Sequence, residues 1–482
     1  MCGIVGIRRF DGARVDPERL RALADVLTHR GPDGAGVWIS ADGTAGLAHR
    51  RLSIIDVAGS PQPMSSVDGR VHVVFNGEIF NYRELRDALD YPWRTAGDTE
   101  VLLAGFLEGG PGFVERLRGQ FAYGIVDERD GQLWLHRDRL GILPLYWYRD
   151  EDVLVFASEI KAILPALPRA PEVDEESLAD YLAHRSVPTP HTMFRGVRKL
   201  PPGHRLLARP DGRVTVERYW ALPVEPAREH VPDAEALTLV GEALRDSVRA
   251  ALVADVPVGA YLSGGIDSSL IVAMISSLRE GEGVETFSAN FEQTSHDELP
   301  FARKVSAHLG TTHHEITVTA RDFEQLWPKL TWHVDAPLPE PPDIAFHRLA
   351  TLARRHVKVV LSGEGSDELF AGYPKYRYAR LVQASGTLPA AVRGPVFGAL
   401  ERALPDRARR PRTLLRAAAA RTEAERFRTW FAPFTAEERL ELAGSAGRGG
   451  YEEIWRRAWR RDPADALRRL PHLARRQPAR AG

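Results

Sequence analysis

The chain predicts a two-part α/β protein, mixed α+β in its first part and parallel-sheet α/β in its second. Three observations carry this. Short β-branched runs separated by turn pairs dominate residues 2 to about 205. Prolines and glycines cluster between 206 and 235, in Asp211-Gly212 and Pro223–Pro226 after Pro201-Pro202-Gly203. From 236 to 482 the chain begins by alternating helical and strand patterns, the signature of βαβ units and a parallel sheet.

In the first part, strands are expected at Gly3–Arg8, Gly46–Ile55, Val71–Phe75, Phe121–Asp127, Gln132–Arg137 and Val153–Ala157. Helical periodicity rich in Leu and Ala falls at Pro17–Leu27, Tyr82–Leu89 and Thr99–Leu107. In the second part, Ala234–Leu252 reads as a helix and Val256–Leu262 as a buried strand. Asp267–Leu278 follows as a helix, Thr286–Asn290 as a strand, Glu298–Leu309 as a helix and Val357–Leu361 as a strand. The last hundred residues are rich in Arg, Ala and Leu and helical in texture.

Composition narrows the function classes. Over 482 residues the formal net charge is −1, so no global field draws nucleic acid or an anionic membrane. Six lysines leave 58 arginines among the 64 basic residues, a coding bias and no argument for a nucleic-acid surface. A single cysteine forbids an intrachain disulfide and points to a reducing, cytoplasmic compartment. Neither a secretory leader nor a run of about 18 apolar residues is present, so no membrane association is expected.

That cysteine is Cys2. Isolated, it would be unremarked; but removal of Met1 would leave an α-amine beside the thiol, able to act as its general base. A β-branched strand, Gly3-Ile4-Val5-Gly6-Ile7, starts directly after it. Further on stand His29-Arg30-Gly31-Pro32-Asp33, His49-Arg50-Arg51-Leu52-Ser53-Ile54, Phe75-Asn76-Gly77-Glu78-Ile79-Phe80-Asn81 and Gly97-Asp98-Thr99-Glu100. Together these resemble the class II glutamine amidotransferases, whose fold is the N-terminal-nucleophile (Ntn) hydrolase αββα sandwich.

The resemblance implies roles. Cys2 is the nucleophile, and the Asn76 side chain with the Gly77 backbone N–H forms the oxyanion hole. Arg51, Ile54, Asn76, Gly77, Glu78 and Asp98 bind glutamine. Chemistry agrees: a guanidinium fork suits the α-carboxylate, and acidic groups suit the α-ammonium. Asn76-Gly77 is also the strongest short signal for a type I′ hairpin turn, and such a turn could present the same donors.

In the second part, Leu262-Ser263-Gly264-Gly265-Ile266-Asp267-Ser268-Ser269 follows a strand and opens a helix, the setting of an anion-binding loop. A Ser-Gly-Gly loop alone is weak evidence, and no lysine follows to make it a P-loop. The complete run is similar to the pyrophosphate loop of enzymes that cleave ATP to AMP and pyrophosphate. A second loop, Ser362-Gly363-Glu364-Gly365-Ser366-Asp367-Glu368, follows the strand Val357–Leu361, where ligands of open α/β sheets bind.

With Phe156-Ala157-Ser158-Glu159-Ile160-Lys161-Ala162, Leu200-Pro201-Pro202-Gly203-His204 and Leu309-Gly310-Thr311-Thr312-His313-His314-Glu315, the whole of 2–378 resembles glutamine-hydrolysing asparagine synthetase. The domains expected are a glutaminase at 2–205, a linker at 206–235 and an ATP-pyrophosphatase-type synthetase domain at 236–482. ATP would bind at Leu262, Ser263, Gly264, Gly265, Asp267, Ser268, Ser362 and Gly363, with Mg²⁺ on Asp267 and Asp367. Glu364 would accept a proton from the attacking ammonia.

The implied reaction amidates a carboxylate, aspartate first, through an acyl-adenylate, with ammonia crossing an internal tunnel. Family members are often dimers, so the resemblance leaves a homodimer open, though no feature of the sequence demonstrates one.

Two departures stand against the pattern. Val334-Asp335-Ala336-Pro337 occupies the place of a common Asp-Glu-Pro stretch. Beyond Tyr378 the family's Arg-Met-Asp-type and Glu-Ala-Arg-Val-Pro-Phe-Leu-Asp stretches are absent, as is its pyrophosphate-binding lysine, so the C-terminal part is expected to be divergent or truncated. Another acceptor acid, a glutaminase with an impaired ligase half, and a non-catalytic protein therefore remain as alternatives. The intact Cys2, Arg51, Asn76 and Asp98 oppose the last.

Overall fold

Strand β1 (Gly3–Arg9) is buried on both faces, and its alternation sorts the first part into layers. This computed structural model describes residues 1–444 apart from 224–230, 280–282, 293–297, 377, 379–381, 383–384, 406, 421, 423–424, 427–428 and 431. Ile4 packs with Val74, Ala122, Leu135 and Phe156. Val5 and Ile7 point the other way, onto Leu20 and Leu23 of helix α1 (Pro17–Asp25). Asp16 caps α1 by accepting from the Glu18 N–H, with Pro17 at the first helical position.

One antiparallel sheet runs β10 (Val197–Lys199), β8 (Tyr146–Arg149), β9 (Val153–Ala157), β1, β3 (Ala45–Arg51) and β2 (Gly34–Ile39). The other runs β12 (Val214–Arg218), β11 (His204–Ala208), β7 (Gln132–Arg137), β6 (Gly119–Asp127), β5 (Val71–Ile79) and β4 (Met64–Ser65). Val73 and Phe75 of β5 face away from the first sheet, onto Leu102 and Phe106 of α3 (Thr99–Gly109), with α2 (Tyr82–Ala88) beside it. The order is helix, sheet, sheet, helix, as the Ntn-hydrolase resemblance implies.

The second part carries a four-stranded parallel sheet in the order β15 (Thr312–Val318), β14 (Glu285–Phe291), β13 (Val258–Tyr261), β16 (Val359–Leu361). Its helices are α5 (Asp233–Ala251), α6 (Ile266–Leu278), α7 (Leu299–Leu309), α8 (Ala320–Val334) and α9 (Pro342–Ala353). α8 opens with a reciprocal capping box between Thr319 and Asp322.

By packing, the chain forms two compact units. The first holds 1–172, 189–223 and 232–362, both layered sheets and the parallel sheet included. The second holds 173–188 and the described residues from 363 on, among them α4 (Glu175–His184) and α10 (Ser366–Phe370). Residues 445–482 of the expected helical tail lie outside the described residues.

Three expectations shift. Residues 206–218, expected as linker, form most of β11 and all of β12, and β11 pairs with β7 from Arg205↔His136 to Ala208↔Leu133. The strand expected at Gly46–Ile55 stops at Arg51, because Ser53 N–H bonds the Asp33 carboxylate at 2.9 Å and the Ile54 carbonyl accepts from Asp255 N–H at 3.0 Å. Asn76-Gly77 is no hairpin turn: β5 runs straight through it, with Asn76 opposite Ala122 and Gly77 opposite Phe121.

Candidate active site

The first unit holds an open pocket at the end of β1. Cys2, Arg51, Ile54, Gly77, Glu78 and Asp98 line it, which brings together residues spread over nearly a hundred positions; Asn76 is not among its lining residues. The Cys2 thiol lies against the backbone of Leu52, 3.4 Å from its N–H and 3.7 Å from its carbonyl. Burial pushes that thiol above its ordinary pKa, so it needs a base to react. Burial also lowers the Met1 amine, to about 6.

Asn76 is fully buried, and neither its side-chain nitrogen nor its oxygen has a hydrogen-bond partner among the described residues. Such an orphan amide costs roughly 1–3 kcal/mol unless a ligand satisfies it. Gly77 is obligatory: a Cβ there would lie 2.3 Å from the Gln120 carbonyl oxygen.

Asp98 accepts from Ile79 N–H at 3.0 Å. Burial, with Glu78 nearby, pushes it up to about 7 despite that bond, and burial raises Glu78 as well. Two desolvated carboxyls in one pocket fit an incoming ammonium. The Arg51 guanidinium is held by the carbonyls of Val57 at 2.9 Å, Asp56 at 2.7 Å and Ile55 at 3.3 Å, which fixes the fork at the pocket wall.

Sequence reasoning missed Gln120 and the backbone of Leu52. Gln120 lines the pocket directly opposite Glu78 in the β5–β6 register. A lone glutamine in an apolar strand offered the only signal.

A buried ion chain leads away from the nucleophile. Arg30 Nε donates to the Cys2 carbonyl at 2.9 Å, and its guanidinium pairs with Glu159 at 2.9 Å. Glu159 also meets His29 at 3.0 Å and Lys161 at 2.5 Å. Burial opposes ionisation there, yet His29, Arg30 and Lys161 hold Glu159 down at about 2. Lys161 then reaches Asp335, in the turn after α8, at 3.1 Å.

The loop Leu262–Ser268 joins β13 to α6. Ser263 Oγ accepts from Gly265 N–H at 3.2 Å and lies 3.0 Å from Ser268 Oγ. Gly264 sits at φ +83°, and a Cβ there would fall 2.5 Å from the Ala302 nitrogen. Gly265 caps α6 with no side-chain bond, which suits the helix end to an anion. Asp267 is exposed in the first turn, and Ser362 follows β16 within this unit. Gly363, Glu364 and Asp367 belong to the second unit, where Gly365 at φ +89° starts α10.

A family model described as a glutamine amidotransferase domain matches residues 1–220, through the end of β12, and one described as asparagine synthase matches 239–475. With the layered sheets and the Cys2 pocket, these set a glutamine amidotransferase-like domain ahead of an asparagine synthase-like one. A Bacillus subtilis glutamine-hydrolysing asparagine synthetase is 39% identical over 383 residues, 78% of this chain and 60% of its own length. A putative one from Methanocaldococcus jannaschii is 34% identical over 77% of this chain and 76% of its own length.

The chain belongs to the glutamine-hydrolysing asparagine synthetase family. The protein named amidase chry2 of Gibberella zeae is 36% identical over 81% of this chain. The chain spans 60% and 62% of the lengths of the Bacillus and Gibberella relatives.

Proposed function

We propose that this chain transfers the amide nitrogen of glutamine to a carboxylate activated by ATP, and that the carboxylate is the side chain of aspartate. The observation that carries the first half is the gathering of the Cys2 thiol, Arg51, Gly77, Glu78 and Asp98 around one pocket.

Once Met1 is removed, the Cys2 amine takes the thiol proton as Sγ attacks the glutamine side-chain carbonyl. Negative charge collects on that oxygen, where the Asn76 amide and the Gly77 N–H are the proposed donors. Arg51 holds the α-carboxylate while Glu78 and Asp98 hold the α-ammonium. Collapse of the tetrahedral species expels ammonia and leaves a glutamyl thioester, which water hydrolyses to glutamate.

In the synthetase domain, the leading N–H groups of α6 and the Ser263-Gly264-Gly265 loop cradle the phosphates. The acceptor carboxylate attacks the α-phosphorus and pyrophosphate leaves; ammonia then attacks the acyl-adenylate, AMP leaves, and the nitrogen gives up its proton to a base. The exposed carboxylate of Asp267 is a hard oxygen donor of the kind Mg²⁺ takes, and when bound the ion would neutralise the leaving pyrophosphate. Separate sites suit ammonia, which is mostly protonated in bulk water at neutral pH.

A second reading keeps the mechanism and changes the acceptor. Asp335, the remaining acid of the Val334-Asp335-Ala336-Pro337 stretch, is occupied by Lys161 at 3.1 Å and by the Ile160 N–H at 2.7 Å. It serves packing there, so the acceptor pocket departs from the common Asp-Glu-Pro pattern, and a relative named as an amidase matches about as well as the synthetases.

Cys2→Ala with ammonium as the nitrogen source tests the division of labour. Glutamine-dependent product should vanish and ammonium-dependent product persist; persistence of both would overturn the assignment of Cys2.

A further inference from the structure

Three side chains from separate elements of the parallel-sheet domain bring metal-ligating atoms together, and the reaction proposed above uses none of them. Glu285 opens β14 opposite Thr312 of β15, and His314 lies two residues beyond Thr312, so both side chains project from one face of the sheet. Phe287 lies on that face too, packed on Leu349, Ala353 and Val357 around the end of α9. His356, in the turn after α9, therefore descends onto the same face. Its backbone N–H is fixed to the Ala353 carbonyl at 2.9 Å.

The geometry is already close to that of a ligand set. Glu285 Oε2 lies 2.6 Å from His314 Nε2, and the His314 and His356 rings stand 4.0 Å apart, centre to centre. One ligand atom from each of the three residues falls within 4.8 Å of the other two. His314 stacks on Phe287 at 5.2 Å with 17° between the planes, which fixes its ring orientation.

Ligand atoms around a tetrahedral zinc ion stand roughly 3.3–3.5 Å apart. The Glu285–His314 pair would open slightly and the exposed His356 would swing in, a side-chain adjustment without backbone movement. Two imidazoles and one carboxylate suit Zn²⁺ and its first-row neighbours, and are a poor match for Mg²⁺, which takes oxygen.

We propose that Glu285, His314 and His356 form a zinc-type divalent metal site that clips the end of α9 to β14 and β15. The exposed edge at His356 gives the ion entry and leaves a fourth position for water. Its ligands come from outside the Leu262–Ser268 loop and from outside the Cys2 pocket.

The test uses the full chain, cleared of metal, titrated with Zn²⁺ in competition with a chromogenic chelator, and with Co²⁺ followed by visible spectroscopy. The expected result is one tight ion per chain, a Co²⁺ spectrum without a thiolate charge-transfer band, and a thermal midpoint raised by Zn²⁺. Loss of an outer partner alone weakens a metal site by roughly tenfold or more, so His356→Ala and Glu285→Gln should each weaken binding at least that far. His356 is exposed, so its removal leaves folding intact.

Equal Zn²⁺ affinity in the wild type and both variants would overturn the site. So would a thiolate band, which would place the ion on Cys2. Either outcome would identify Glu285 and His314 as a hydrogen-bonded pair only, and would leave the amidotransfer reading untouched.

Discussion

Lys161 and Asp335 form an ion pair at 3.1 Å, each side chain only 7% exposed, and through it the amidotransferase part of the chain is fastened to the turn after α8. Lys161 is shared: it also neutralises Glu159, which holds Arg30 against the Cys2 carbonyl. A buried cation between two carboxylates cannot be removed cheaply.

Lys161→Met should therefore destabilise the protein by roughly 3–5 kcal/mol, because buried Asp335 loses its cation and Glu159 loses one of three. Denaturant unfolding checks this. The double variant Lys161→Met/Asp335→Asn should recover part of the loss, whereas additive losses would contradict a shared charge.

Asn76→Ala removes the proposed oxyanion donor whose amide lacks a protein partner. Glutaminase kcat should fall by about 10²–10³-fold with a small change in KM, since the donor acts on the charged intermediate. Ammonium-dependent synthesis should be spared.

Asp98 gives a pH signature. Burial raises it to about 7, so the free carboxylate that an ammonium needs predominates only above that pH. The KM for glutamine should fall as pH rises from 6 to 8, by roughly tenfold for a single group passing through its pKa. Asp98→Asn should raise KM and flatten that dependence, as steady-state glutaminase kinetics across the range will show.

Gly264→Ala probes the phosphate loop alone. At φ +83° and 2.5 Å from the Ala302 nitrogen, a methyl group strains the loop by about 1–3 kcal/mol before any clash. ATP-dependent pyrophosphate release should drop at least tenfold while glutaminase activity continues.

Much of this was legible in the sequence wherever residue type and local backbone coincide. Cys2, Arg51, Gly77, Glu78 and Asp98 are readable as one site because the motifs that carry them together resemble those of the class II amidotransferases, and the structure gathers them in one pocket. The strand β5 runs past the expected Val71–Phe75 because pairing with β6 overrides the local turn signal of Asn76-Gly77. β15 has no clear sequence signal, since Thr312-His313-His314-Glu315 hides its alternation behind polar side chains whose partners, Glu285 and Arg303, lie on other elements. The Glu159–Lys161–Asp335 chain was likewise invisible, because an ion pair across more than 170 residues leaves no local pattern.

The central claim is that nitrogen from glutamine reaches an acyl-adenylate through Cys2. Its most direct test supplies amide-¹⁵N glutamine, Mg-ATP and aspartate, and measures ¹⁵N in asparagine together with pyrophosphate. The account predicts labelled asparagine matched one to one by pyrophosphate, both lost in Cys2→Ala. Labelled ammonia accumulating with no aspartate-dependent pyrophosphate would contradict it.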